Sequence, residues 1–209
     1  NAATEADEIP DAEQEEVLDF FQQDLGLEVL ETDKLEIYDE LDEIDKWLLS
    51  KYNKLVKNVT AAFEEYDLNK AVKYLNGFVN EELSNWYIRR NRRRFWASEL
   101  DDSKKAVYQT TYQVLVGLCK LMAPIVPFVT DEIYRNLNNG ESVHLADYPT
   151  YNEELINEKI ESRMDLVRDL ISLGRNIRED VKIKVRQPIS EALIDAKNED
   201  LIGDLTDLI

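Results

Sequence analysis

The sequence predicts an all-α protein, an antiparallel helical bundle followed by the start of a small α/β unit. Three observations predict it. Apolar residues recur at spacings of three and four through most of residues 39–180. Only 6 Gly and 5 Pro punctuate 209 residues, and sparse punctuation favours long helices. Hydrophobic residues make up 44% of the chain, enough to bury the core of one large domain.

The elements follow in order. Residues 1–38 are an acidic leader whose first part, NAATEADEIPDAEQEE, is too polar to bury a core of its own. From Asp39, the residues Leu41, Ile44, Leu48, Tyr52, Leu55, Val56, Val59 and Phe63 trace a first helix, ending near Tyr66 and Asp67. Asp67 is a suitable N-cap for a second helix carrying Leu68, Ala71, Val72, Leu75, Phe78, Val79, Leu83 and Trp86 on one face. Ser103 is expected to cap a third helix over residues 104–122, which Pro124 and Pro127 break. Residues 128–137 form a short fourth helix, stopped by NNG. SVHLADYP reads as an extended connector. Asn152 then opens a long helix to about Asp180, with Leu155, Ile160, Met164, Val167, Leu170, Ile171, Leu173 and Ile177 inward. KIKVRQP is a loop or strand, ISEALIDA alternates like a strand, and EDLIGDLTDLI starts a helix. The expected organisation is a leader (1–38), a bundle (39–150), and a long helix with a partial α/β junction (151–209).

Several function classes find no support in the sequence. A single cysteine, Cys119 in the apolar run VLVGLCKLM, excludes an internal disulfide and a cysteine zinc cluster, and reads as a buried thiol. One histidine, His144, leaves no histidine-based metal site, and both it and Trp47 read as structural. No apolar run approaches the ~20 residues of a membrane span, and no signal peptide is evident. Glycine-rich phosphate loops, HExxH, CxxC and nucleophile elbows are absent, and no acid/base carboxylate pair stands out. The sequence therefore predicts a soluble, cytoplasmic protein without membrane contact and without chemistry of its own.

The formal charge of −19 is concentrated, since residues 1–45 hold 18 of the 44 acids and one of the 25 bases. The remainder is nearly neutral. Within it lies SNWYIRRNRRRFW, residues 84–96, with five arginines among four aromatics. At about 100° per residue, Arg89, Arg90 and Arg93 continue the apolar stripe of the second helix. Unpaired charge does not enter an apolar core, so the helix bends or its end runs past the bundle. Three readings stand. The arginines grip phosphate while the rings stack on unpaired bases. They pair internally, with the acidic leader among the candidates. Or they dock an acidic protein. Lys182, Lys184 and Arg186 in KIKVRQP form a second basic group, sharing one side if that segment is extended.

The string IDKWLLSKYNKLVKNVTAAFEEYDLNKAVKYLNGFVNEELSNWYIRRNRRRFW closely resembles the isoleucyl-tRNA synthetases at the start of their anticodon-binding domain. LMAPIVPFVTDEIYRNL, SVHLADYP and GRNIREDVKIKVRQPI resemble later parts of the same region, so the likeness covers roughly residues 40–195. The resemblance implies a class Ia helical bundle that binds the anticodon arm of the isoleucine acceptor tRNA. It implies a monomeric ligase using ATP and magnesium, whose catalytic and editing domains belong to the same polypeptide. The HIGH-type and KMSKS-type motifs are absent here, so these residues alone are expected to be inactive and to hold no cofactor. The tRNA-contacting candidates are Trp86, Tyr87, Arg89, Arg90, Arg92, Arg93, Arg94 and Trp96, with Lys182, Lys184 and Arg186 secondary. The alternatives are the equivalent domain of a valine, leucine or methionine enzyme, or a protein-interaction bundle.

Overall fold

The computed structural model describes residues 38, 41–99, 101–138, 140–191 and 193. The readings made for residues 1–37 and for EDLIGDLTDLI lie outside them. Among the described residues there are helices and no strands.

Helix α1, Glu43–Glu64, is the centre of the bundle. It buries residues around most of its circumference, with Trp47, Leu48, Val56, Val59 and Ala62 fully enclosed. A helix apolar on so many sides must be surrounded. Helix α2 (Leu68–Gly77), α4 (Asp102–Met122) and α6 (Glu158–Asp180) all pack on it. Helix α5, Pro127–Leu137, packs on α4 with Pro127 in its first turn. Where α1 and α4 meet, Gly117 is required, because a Cβ there would overlap the Tyr52 hydroxyl. Cys119 is buried between α4 and α5, and Trp47 is wholly enclosed, both as expected.

Polar groups fix the return of the chain. Ser50 donates to Glu161 at 2.7 Å and accepts from the Asn157 amide at 2.8 Å. Lys54 donates to the same carboxylate at 2.9 Å. Asn53 accepts from the Asn152 amide at 2.7 Å. Burial works against the Glu161 charge, but Lys54, Ser50 and Lys51 outweigh it and hold its pKa below the ordinary value. These contacts lay α6 antiparallel to α1.

Several local expectations change, and among them Leu68 and Val72 of α2 face solvent rather than the core, at 60% and 45% exposure. The cap of α4 is Asp101, which accepts from the Lys104 amide at 2.7 Å, while Ser103 serves another purpose. Asn152 opens only a 3-10 turn, Glu153–Leu155, and the long helix begins after Asn157, which accepts from Lys159 and Ile160. Leu173 and Ile177 are not inward: the last turns of α6 run past the bundle, leaving them 56% and 53% exposed. SVHLADYP is tightened into a 3-10 turn at Val143–Leu145 before extending.

Candidate nucleic-acid interface

The arm after α2 departs from the α-helix. Residues Phe78–Ile88 form a π-helix, followed at Arg92–Phe95 by a short helix, α3. A π turn holds more residues than an α turn, so the buried face slips along the sequence. The buried positions step by five from Phe78 to Leu83, then by four to Tyr87 and Asn91. This corrects the uniform 100° projection. Tyr87 and Asn91 take the inward positions, and Arg89 and Arg93 turn to solvent.

Tyr87 and Arg94 converge on one buried carboxylate. Asp45, in the first turn of α1, is fully enclosed. It accepts from the Tyr87 hydroxyl at 2.6 Å and from Arg94 Nη1 and Nη2 at 2.9 and 2.7 Å. Arg94 also donates from Nε to Ser103 Oγ at 2.9 Å, to the Ser103 carbonyl at 2.9 Å, and to Asn91 Oδ1 at 3.0 Å. Burial and the Asp45 charge push the Tyr87 pKa up, so the phenol remains a donor. Burial opposes the Arg94 charge, yet the bonds to Asp45 outweigh it and raise its pKa. Tyr87 and Arg94 are thus braces that tie the arm to α1 and α4. The interior offered no other outlet for these groups, since an unpaired buried charge costs several kcal/mol, of order 3–5. Phe95 meets Tyr108 edge to face at 5.3 Å, and Lys104 donates to the Ala97 carbonyl at 2.8 Å, fixing the turn that follows.

Arg89, Arg92 and Arg93 point outward. Arg92 stacks on Trp96 with its guanidinium carbon 4.2 Å from the ring centroid, and Trp96 is 69% exposed. Arg89 and Arg93 are exposed and have no carboxylate partner among the described residues. Arg90 lies half-buried over Trp86 at 5.2 Å; burial and the charge of Arg175 lower its pKa. Arg168 of α6 approaches the same indole at 5.4 Å and pairs with Glu82 at 2.7 Å. Trp86 is therefore a packed platform holding two guanidiniums and the arm against α6. Arg168 and Arg175 were not recognised from sequence, because isolated arginines in an ordinary amphipathic helix carry no pattern.

Because α6 runs beside the arm, its C-terminal turns leave the bundle at the same end. There the KIKVRQP segment forms turns, with Lys182 at φ 59°. Arg178 donates to the Lys184 and Gln187 carbonyls at 3.2 and 2.8 Å and shapes it. Lys182, Lys184 and Arg186 are exposed, but strand alternation does not align them. The result is an end of the bundle with a guanidinium–indole stack, further exposed arginines, and a basic loop, a chemistry suited to phosphates and unpaired bases.

Residues 45–194 match the family of anticodon-binding domains of tRNA ligases. The chain belongs to this family. It is similar to isoleucine–tRNA ligases: 43% identical to that of Bacteroides thetaiotaomicron, 45% to that of Clostridium novyi and 46% to that of Cytophaga hutchinsonii. The matches cover 77%, 78% and 73% of this chain, but only 14%, 16% and 14% of those proteins. The chain thus spans about a seventh of the length of these relatives. In this anticodon-binding domain no group of three His, Cys, Asp or Glu is placed to hold a metal ion among the described residues. No helix among them is long and apolar enough to cross a membrane.

Proposed function

We propose that this chain is the portion of an isoleucine–tRNA ligase that holds the anticodon arm of the isoleucine acceptor tRNA. The observation that carries the reading is the exposed stack of Arg92 on Trp96, flanked by the exposed Arg89 and Arg93. A planar fork grips phosphate in two bonds, and an exposed indole stacks on a base released from its helix. Arg90, held over Trp86, adds a fourth charge, and Lys182, Lys184 and Arg186 extend the basic end with weaker claims. Tyr87 and Arg94 contribute by fixing the arm rather than by touching RNA. The same end is also a junction surface for the catalytic and editing parts of the ligase, which in this reading belong to the same polypeptide. ATP and magnesium serve that catalytic part, and this portion alone would be an inactive, cytoplasmic monomer.

The test is a titration with isoleucine acceptor tRNA and with the same tRNA carrying a swapped anticodon, at two salt concentrations. Tighter binding of the native anticodon that persists at the higher salt supports base readout. Equal, salt-sensitive binding of both leaves a backbone grip only. No binding of either removes the proposal.

A further inference from the structure

The opposite end of α1 carries an exposed aromatic in an unfavourable backbone conformation. Helix α1 closes with the Asp67 amide bonded to the Ala62 carbonyl at 2.8 Å and the Tyr66 amide to the Phe63 carbonyl at 3.0 Å. This pairing places Tyr66 at the position where a left-handed residue is needed, and its φ is 58°. Glycine suits that position; a tyrosine there is strained. Its ring gains nothing from the fold in return, being 92% exposed. Beside it, Leu68 and Val72 are also exposed, and Asn69, Lys73 and Asn76 line a shallow groove along α2. Strain retained without any packing return marks a residue kept for something it contacts.

We infer that Tyr66 is a stacking platform for an unpaired nucleobase, with Asn69 and Lys73 of the adjoining groove as the bonding partners of the base edge. The inference rests on the proposal that this chain binds RNA. Two features favour a base over a phosphate. The corner holds both signs of charge, with Glu65 and Asp67 next to Lys70 and Lys73, so it exerts no net pull on a polyanion. The amides, amines and carboxylate that line the neighbouring groove are instead the donors and acceptors that base edges use. The corner also lies a full helix from the arginine end, since Asp45 and Tyr66 are separated by about 30 Å of α1 at 1.5 Å per residue. A tRNA arm held by its phosphates at one end would be read at a single base at the other.

The fold and the contact pull Tyr66 in opposite directions, which makes the test sharp. The full chain and the variants Tyr66→Gly, Tyr66→Phe and Arg92→Ala are titrated with isoleucine acceptor tRNA across a salt series, and each is melted. Tyr66→Gly is expected to keep or raise Tm while weakening binding by about 5- to 150-fold, the range of a lost base stack, with an unchanged salt slope. Tyr66→Phe retains the ring and should bind within about twofold of the parent. If Tyr66→Gly binds like the parent while Arg92→Ala binds more weakly, this inference is overturned and the RNA reading stands. If neither variant changes binding, this inference is overturned and the grip lies away from the Arg92–Trp96 stack; if the parent itself does not bind, both fall.

Discussion

Asp45 is a carboxylate with no access to water, and among the described residues its side-chain partners are the Arg94 fork and the Tyr87 hydroxyl. Replacing Arg94 with Ala leaves that charge buried and unpaired, so urea denaturation should show a loss of about 3–5 kcal/mol. Replacing Arg89, which is exposed and touches no carboxylate among the described residues, should change stability by less than about 0.5 kcal/mol. If the two variants lose similar stability, the division of the arginines into braces and contacts is wrong. That division was not legible in RRNRRRFW, where all five arginines look alike; only the partner on α1, 49 residues away, separates them. A second carboxylate gives a pH signature. Asp131 accepts from Ser142 Oγ at 2.6 Å, Arg135 Nε at 2.8 Å and the Val143 amide at 2.9 Å, and these bonds lower its pKa to about 2. Its folded pKa is depressed, so its contribution is full above the unfolded value of about 3.9 and is lost as pH falls through about 2. Asp131→Asn should therefore be less stable than the parent at pH 7, with the difference shrinking between about pH 4 and pH 2 in denaturant titrations. A constant difference across that range would mean that the charge of Asp131 does not matter.

Helices were legible wherever the apolar spacing stayed at three and four, as in α1, α4 and α5, because one face of each had to be buried against a neighbour. Their ends were less so. Asp101 and Ser103 are both good caps two residues apart, as are Asn152 and Asn157 five apart, and only geometry decides which one opens the long helix. Asp101→Ala should accordingly cost about 1 kcal/mol in a thermal or urea melt through loss of the Lys104 amide bond. A neutral result would shift the cap back to Ser103, whose hydroxyl the structure instead commits to Arg94. The π-helix had no sequence signature at all. A single step of five between Phe78 and Leu83 reassigns every later residue, exchanging Trp86 for Tyr87 as the buried ring and turning Arg93 outward. The candidate cluster was therefore found by composition, while its orientation depended on one extra residue per turn.

A molecule with formal charge −19 is a poor polyanion binder by its average, and a good one only if local field governs. At physiological salt the screening length is about 8 Å, so a phosphate at the Arg92–Trp96 stack senses its nearest few charges and little of the rest. Arg89, Arg90, Arg92 and Arg93 all belong to this arm, and the carboxylates of Asp42 and Asp45 at the start of α1 are engaged by Arg94 at 3.3 and 2.7 Å. If each of the four arginines displaces a counterion from one phosphate, log affinity for tRNA should fall with log salt at a slope of about 3, from roughly 0.7–0.9 per contact. Removing Arg89, Arg92 and Arg93 together should reduce the slope to about 1, and each single replacement by somewhat under one unit. The melting temperature of the triple variant should hold, because none of the three supports the fold. A slope that stays near 3 in the triple variant would move the phosphate grip to Lys182, Lys184 and Arg186. A parent slope near zero would leave the arginine end as a surface for protein, with RNA affinity arising from bases alone.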